Sequence, residues 1–348
     1  MVEMNSISPR EGAFLLRVIL LPIILGASLL AAGQIDGSKL QTGKDQFLSQ
    51  LLRGAERGDT IAQNNLAYRY FYGRDVPRDY GEATKWFLAS ASHGSPAAHY
   101  NLGALYEQGL GVPNDYSQAL SHYHSAAEQG HTLAQVRLGL MYECGLGVAP
   151  DLREALKWYR AAAERGDASA ASKLGDFYYA GQGVTRDYRE AADWYRKAAD
   201  KGLAVAQNNL AALYHHGLGE APDYSQALEW YRKAAAQGLA EAMNNLGVMY
   251  QDGLGVEKDY RNAANWYGGA AEQGNRSGQY NLANLYATGR GVPLDYVSAY
   301  FWYSLAADSG DKLSARELKG LSRLMTPRQR HEAEVRVAVR AEITPTNP

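Results

Sequence analysis

At 348 residues, with 46% hydrophobic and 21% charged side chains, the chain can bury a large apolar core and lacks the composition of a disordered segment. Its 35 Lys and Arg against 37 Asp and Glu leave a net charge of -2, so no global field draws it to nucleic acid or to an anionic membrane. A single cysteine, Cys144, excludes an intrachain disulfide and leaves the fold to stand on packing, while 36 Gly and 25 Tyr imply that something repeats them.

Residues 1–33 read differently from the rest. Val18 to Ala32 carries no charge, follows Arg10 and Arg17 and runs into the small residues Ala31, Ala32 and Gly33, as a secretory signal peptide cleaved after Gly33 would. The stretch is shorter than the roughly 20 residues a bilayer-spanning helix needs, although Phe14, Leu15 and Leu16 extend it past Arg17 as an uncleaved membrane anchor. The expected location is periplasmic or secreted, with anchoring to the inner membrane as the alternative. Residues 34–58 then read as an N-terminal capping half-repeat, a lone helix from Gln41 to Gly58 carrying Phe47, Leu51, Leu52 and Ala55.

From residue 59 to 310 the chain repeats. Leu66, Leu102, Leu138, Leu174, Leu210, Leu246 and Leu282 stand 36 residues apart, and the same step links Tyr70 to Tyr286, Gly73 to Gly289 and a row from Trp86 to Trp302 in which His122 takes one place. Strict spacing of this length marks a stacked array in which each unit buries its apolar face on the next. Each unit predicts two helices. Ala98, Leu102, Leu105 and Tyr106 form one apolar stripe on the first, and Gly109-Leu110-Gly111-Val112 turns the chain back through positive backbone angles. The second helix opens at Asp79 and its six equivalents, five of which are followed three residues on by Glu or Gln, as a capping box requires. Recurring Ala lets the helices approach closely, with Tyr and Trp filling the space between. Residues 311–348 predict C-terminal capping helices. Leu318 keeps the register, and Thr326-Pro327-Arg328-Gln329 launches a charged final helix to about Glu342 that shields the last apolar face.

The residues spell Ala-x-x-x-Leu-Gly-x-x-Tyr-x-x-Gly-x-Gly-Val, then Asp-Tyr-x-x-Ala-x-x-Trp-Tyr-x-x-Ala-Ala-x-x-Gly, which resembles the Sel1-like repeat, a relative of the tetratricopeptide repeat. The resemblance implies an all-α fold, a right-handed α-solenoid of 36-residue two-helix repeats, and a non-catalytic scaffold or adaptor for a protein partner or peptide segment. Work in envelope signalling, such as regulating a sensor, or in secretion is what such a scaffold commonly does. One branch of the family is disulfide-stapled and associated with binding or hydrolysing β-lactams. Such an enzyme, acting on β-lactams or peptidoglycan fragments, is the competing reading, and this chain lacks the paired cysteines of that branch. A spacer with an empty groove is the third.

The first helices supply the candidate site. Each residue rotates the helix about 100°, so offsets of -5, -2, +2 and +5 from the recurring Leu lie opposite the core. In repeats one to three these positions hold Ile61, Asn64, Tyr68, Phe71, Tyr100, Leu133, Val136 and Leu140, whereas later repeats place Ser169, Asp176, Asn208, His215, Glu241 and Asn244 there. In arrays of the resembling type the first helices line the concave groove, so this apolar row is a candidate partner-binding strip, the alternative being that neighbouring units bury it. An Asn row, Asn65, Asn101, Asn209, Asn245 and Asn281, is interrupted by Arg137 and Lys173. The amides are read first as bonds between adjacent helices, and the two cations as candidates for holding an acidic group.

Catalytic, cofactor and metal sites are not expected. His122 and His124 stand two apart and point to different sides of a helix, no closed metal-ligand spacing occurs, and no phosphate-binding Gly-Lys-Ser/Thr loop is present.

Overall fold

The computed structural model describes residues 37–343, which contain seventeen α-helices and no strand. The signal-peptide or anchor segment at residues 1–33 lies outside the described residues. Helix α1 spans Gly37–Glu56; the repeat helices follow as α2 Thr60–Tyr72, α3 Tyr80–Ser92, α4 Pro96–Gln108, α5 Tyr116–Glu128, α6 Thr132–Cys144, α7 Leu152–Glu164 and α8 Ala168–Ala180. They continue as α9 Tyr188–Asp200, α10 Ala204–His216, α11 Tyr224–Ala236, α12 Ala240–Asp252, α13 Tyr260–Glu272, α14 Arg276–Thr288 and α15 Tyr296–Asp308, with α16 Lys312–Leu321 and α17 Pro327–Ile343 closing the chain. The expected all-helical α-solenoid of two-helix repeats is what the chain forms. Two compact units divide it, Met1–Ala162 and Ala163–Pro348. Helix α1 is already formed at Gly37, ahead of the expected Gln41.

The turns explain why the repeat helices are so uniform. Each first helix ends on a left-handed glycine, Gly73, Gly109 and Gly145 in the first unit, with φ of 66°, 68° and 72°. The chain then returns so that the N–H of Asp79, Asp115 and Asp151 donates to the carbonyls of Tyr70, Tyr106 and Tyr142 at 3.0, 2.9 and 2.9 Å. In the second unit Asp187, Asp223, Asp259 and Asp295 make the same closure to Tyr178, Tyr214, Tyr250 and Tyr286. The recurring Tyr-to-Asp spacing is thus one hydrogen bond repeated seven times. The second turn glycine serves a different purpose: a β-carbon on Gly111 would come within 2.5 Å of the Tyr80 backbone, so only glycine lets the turn lie against the preceding second helix.

Where Glu stands three residues on, the cap aspartate works without it, whereas Asp259 and Asp295 accept from the side chains of Asn262 and Ser298. One oxygen of Asp79 accepts from the N–H groups of both Gly81 and Glu82, at 2.8 and 3.0 Å. This corrects the capping-box expectation at Glu82, whose carboxylate turns outward to Lys85 and to the Trp86 indole. Glu154 pairs likewise with Lys157. The reciprocal box does form at Thr326 and Gln329, where each side chain accepts the other's backbone N–H.

Packing follows the two periodicities. In the first unit Leu102, Leu138, Ala119, Ala126, Ala127 and Ala134 are fully buried around Tyr123 and Tyr159. In the second unit Leu210, Leu246 and Ala234 play the same part around Tyr195, Tyr231 and Tyr267. The Trp row borders this core: Trp158, Trp194, Trp230 and Trp302 are buried, while Trp86, Trp266 and His122 are half-buried. Consecutive repeats are clasped by side chains as well. Gln63 and Gln135 donate Nε2 to the carbonyls of Ala55 and Ala127, and Gln207 and Gln279 to those of Ala199 and Ala271, which satisfies the end of the preceding helix. At the C-terminus Ala333 of α17 is fully buried and Val337 packs on the cluster of Phe301, Trp302, Leu321 and Met325.

Candidate partner-binding site

In the first unit, the face of α2, α4 and α6 turned away from the Leu core carries the predicted strip. Tyr68, Phe71, Tyr100, Val136 and Leu140 are half-buried, whereas Ile61 is 73% and Leu133 52% exposed. The aromatic part is built, not loose. Tyr68 stacks on Tyr72 with ring centroids 6.2 Å apart, stands edge-on to Phe87 and exchanges hydrogen bonds with Asn101 of the next repeat. Tyr100 stacks on the His131 ring at 4.7 Å. Beside Tyr68, the Oδ1 atom of Asn64 is buried with no hydrogen-bond partner among the described residues. Lys173 is half-buried on α8 in the second unit.

Arg137 lies among this face's polar groups. Its Nη1 is 3.9 Å from Oε1 of Glu107, and the two side chains are only 14% and 12% exposed. Glu107 also accepts from the buried Tyr123 hydroxyl at 2.5 Å. Burial acts to lower the Arg137 guanidinium, but Glu107, Tyr123 and Tyr100 outweigh it and hold the group above its ordinary value. Burial, reinforced by Glu107, raises the Tyr123 phenol well above its usual range. The cation expected for an incoming acidic group is therefore met from within the chain, and the cluster presents a neutralised pair.

A row that sequence reasoning missed links core to surface. In the first unit the buried Tyr123 and Tyr159 donate their hydroxyls to Glu107 and Glu143. In the second unit Tyr195, Tyr267 and Tyr303 donate to Asp176, Gln251 and Asn284, at 2.7, 3.3 and 2.7 Å. Every one of these acceptors sits at offset +2 or +5 of a first helix, the positions that face away from the core Leu. The signal was present in the 36-residue spacing of these tyrosines.

Asn101, Asn245 and Asn281 of the Asn row bond between adjacent first helices, as read, whereas Asn209 meets the Tyr195 hydroxyl of a second helix and Asn65 is exposed. Asn245 donates to Asn208 and Asn281 to Asn244, at 3.1 and 2.9 Å, and Asn101 plays the corresponding part toward Tyr68. Among the histidines, His99 and His122 share a hydrogen bond between Nδ1 atoms 3.1 Å apart, and Tyr106 stacks on His122. Burial, with His99 adding to it, pushes His122 down to about 4. Among the described residues no group of three or more His, Cys, Asp or Glu is placed to hold a metal ion. None of the described helices is long and apolar enough to cross a membrane.

Stacked helix pairs that keep their core rows and vary one face define a repeat scaffold. The chain belongs to the Sel1 repeat family, whose model matches residues 60–95, 96–131, 132–167, 168–203, 204–239, 240–275 and 276–311. Sel1 repeats generally mediate protein interactions, and Sel1 repeat proteins are generally non-catalytic scaffolds. It is similar to the crystal structure of c5321, a protective antigen of uropathogenic Escherichia coli strains displaying an SLR fold, at 38% identity and a TM-score of 0.64 over 82% of this chain and 69% of that one. A Sel1 repeat protein from Oxalobacter formigenes is 32% identical, with a TM-score of 0.65 over 83% of this chain and 82% of that one. Among curated proteins none matches.

Proposed function

We propose that this chain is an exported scaffold that holds a segment of a protein partner on the aromatic face of its first unit, and that it serves an envelope sensor or a secretion complex. The observation carrying this reading is the row of half-buried aromatic rings turned away from the Leu core, with Tyr68 stacked on Tyr72 and Tyr100 on His131. Rings already fixed by Asn101, Phe87 and His131 lose little freedom on binding, which favours them as anchors. The exposed Ile61 and Leu133 add apolar area at the edges, while Phe71, Val136 and Leu140 continue the strip and Arg137 with Glu107 forms its polar part. Lys173, on the second unit, is a separate candidate contact.

The test is capture from an envelope extract by the full chain and by a variant carrying Tyr68→Ala and Tyr100→Ala. A partner held by the parent chain and lost from the folded variant supports the reading. Equal capture by both, or repeated absence of any partner, removes it.

A further inference from the structure

The second unit has a pocket of its own, distinct from the aromatic strip and lined by side-chain amides among apolar and aromatic groups. A cavity of about 300 Å³ lies between the end of α12, the start of α13 and the side of α14, lined by Gln251, Tyr260, Tyr280, Asn281, Asn284 and Arg290, among others. Its size suits one amino-acid side chain with the backbone on either side.

The polarity of the lining is set by the core tyrosines. The Tyr267 hydroxyl donates to Oε1 of Gln251 and the Tyr303 hydroxyl to Oδ1 of Asn284, so both amide oxygens are occupied from the core side. A primary amide whose oxygen is held in this way has its NH2 group left to face elsewhere, and each NH2 carries two N–H donors. Asn284 gives one to the Tyr280 carbonyl at 3.2 Å, and Asn281 gives one to Asn244. Gln251 reaches only Asp252, at 3.5 Å, the long limit for such a bond. Each amide therefore retains an N–H for a ligand.

Arg290 supplies the charge. It projects from the turn after α14, is exposed, and makes no ion pair or side-chain hydrogen bond among the described residues. Its guanidinium carbon lies 5.7 Å from the Tyr260 ring centroid, a cation–π contact that holds the fork at the pocket edge. That Arg290 and Tyr260 meet at all follows from Gly291, whose missing β-carbon lets the turn settle on the Tyr260 backbone. A guanidinium beside several neutral N–H donors is matched to planar oxygens, since a guanidinium fork and a carboxylate pair in a bidentate manner, and Lys258, whose Nζ lies 5.0 Å from the same Tyr260 ring, adds positive charge nearby. Asp252 beside Gln251 disfavours a dianion such as phosphate more than it does a single carboxylate.

We infer that this pocket binds a carboxylate of a peptide segment, either the side chain of Glu or Asp or a chain terminus. The inference stands on the second unit alone and needs nothing from the Tyr68 strip. The test follows the side-chain amide signals of Gln251, Asn281 and Asn284 by NMR in the full chain. Four probes are titrated: N-acetyl-glutamate methylamide, N-acetyl-alanine, N-acetyl-glutamine methylamide and inorganic phosphate. Saturable shifts of these three amides with the first probe assign the site to an acidic side chain, and with the second to a chain terminus. Arg290→Gln, a change at an exposed turn that leaves the fold intact, should weaken either about tenfold or more, as loss of a charge-assisted hydrogen bond does. Equal binding of the glutamine probe, tighter binding of phosphate, an unchanged affinity in the Arg290 variant, or no saturable shift up to the solubility of the carboxylate probes overturns the inference.

Discussion

Gly103 on α4 stands against the ring of Tyr123 so closely that a β-carbon would lie 2.6 Å from two ring carbons. Alanine is ordinarily the better helix residue by about 1 kcal/mol. Here the ring is fully buried and its hydroxyl is tied to Glu107, so it cannot move aside without loss. Gly103→Ala should destabilise the protein by about 1–3 kcal/mol, as overpacking does. Gly268, in α13, has open space around its Cβ position, and Gly268→Ala should stabilise by up to about 1 kcal/mol. Denaturant melts of the two variants decide the matter. The same sign for both would mean that the Tyr123 contact is soft.

The Trp row is the second test of packing. Trp194 is 8% exposed and Lys197 Nζ lies 3.6 Å from its ring centroid. Trp194→Ala removes a buried ring and leaves a cavity at a cost of about 3–5 kcal/mol, measured by chemical denaturation. A cost below about 1 kcal/mol would assign the ring to the surface.

A pH dependence follows from His122. In the unfolded chain a histidine titrates near about 6.5, while in the fold burial and His99 hold His122 down to about 4. The neutral ring is the one the fold accepts. Its contribution is complete above the unfolded value and is lost as pH falls from there toward the folded one. His122→Trp, which installs the residue of the six other repeats, should therefore lose less melting temperature than the parent between about pH 7 and about pH 5. Identical losses in the two proteins would show that His122 is not the group responsible.

The Glu107–Arg137 pair predicts strong coupling. Arg137→Met leaves a largely buried carboxylate without its cation and should cost about 2 kcal/mol or more. Glu107→Gln in the same chain removes that charge while keeping an acceptor for Tyr123, and should restore part of the loss. Additive effects in this double-mutant cycle would mean that the two groups do not interact.

Export is testable without the partner. A reporter enzyme that is active only outside the cytoplasm, fused after Asp36, should be active in cells. An inactive but intact fusion would remove the signal-peptide or anchor reading of residues 1–33.

Much of the fold was legible because a repeated local rule needs no long-range knowledge. Asp115 announces a helix start and Gly109 a helix end, and seven repetitions suppress any ambiguity that one copy would carry. The Asn ladder was legible for the same reason. The partner of Arg137 was not. Glu107 is thirty residues away at a position that varies from repeat to repeat, so only the stacking of α4 beside α6 brings the two together. The pocket around Arg290 was equally hidden, since it depends on which way the Gln251 and Asn284 amides are turned, and hydroxyls from the core decide that.

Those hydroxyls also limit what the variable face can become. A buried phenol needs an acceptor, so one of the two facing positions, offset +2 or +5, is Glu, Asp, Gln or Asn in the repeats where Tyr123, Tyr159, Tyr195, Tyr267 and Tyr303 bond outward. The first repeat escapes this rule. Phe87 has no hydroxyl, and the facing positions hold Tyr68 and Phe71. One missing oxygen in the core thus enlarges the vocabulary of the surface. A designer wishing to place apolar side chains at both facing positions of such a repeat would begin behind them, by converting the core tyrosine to phenylalanine.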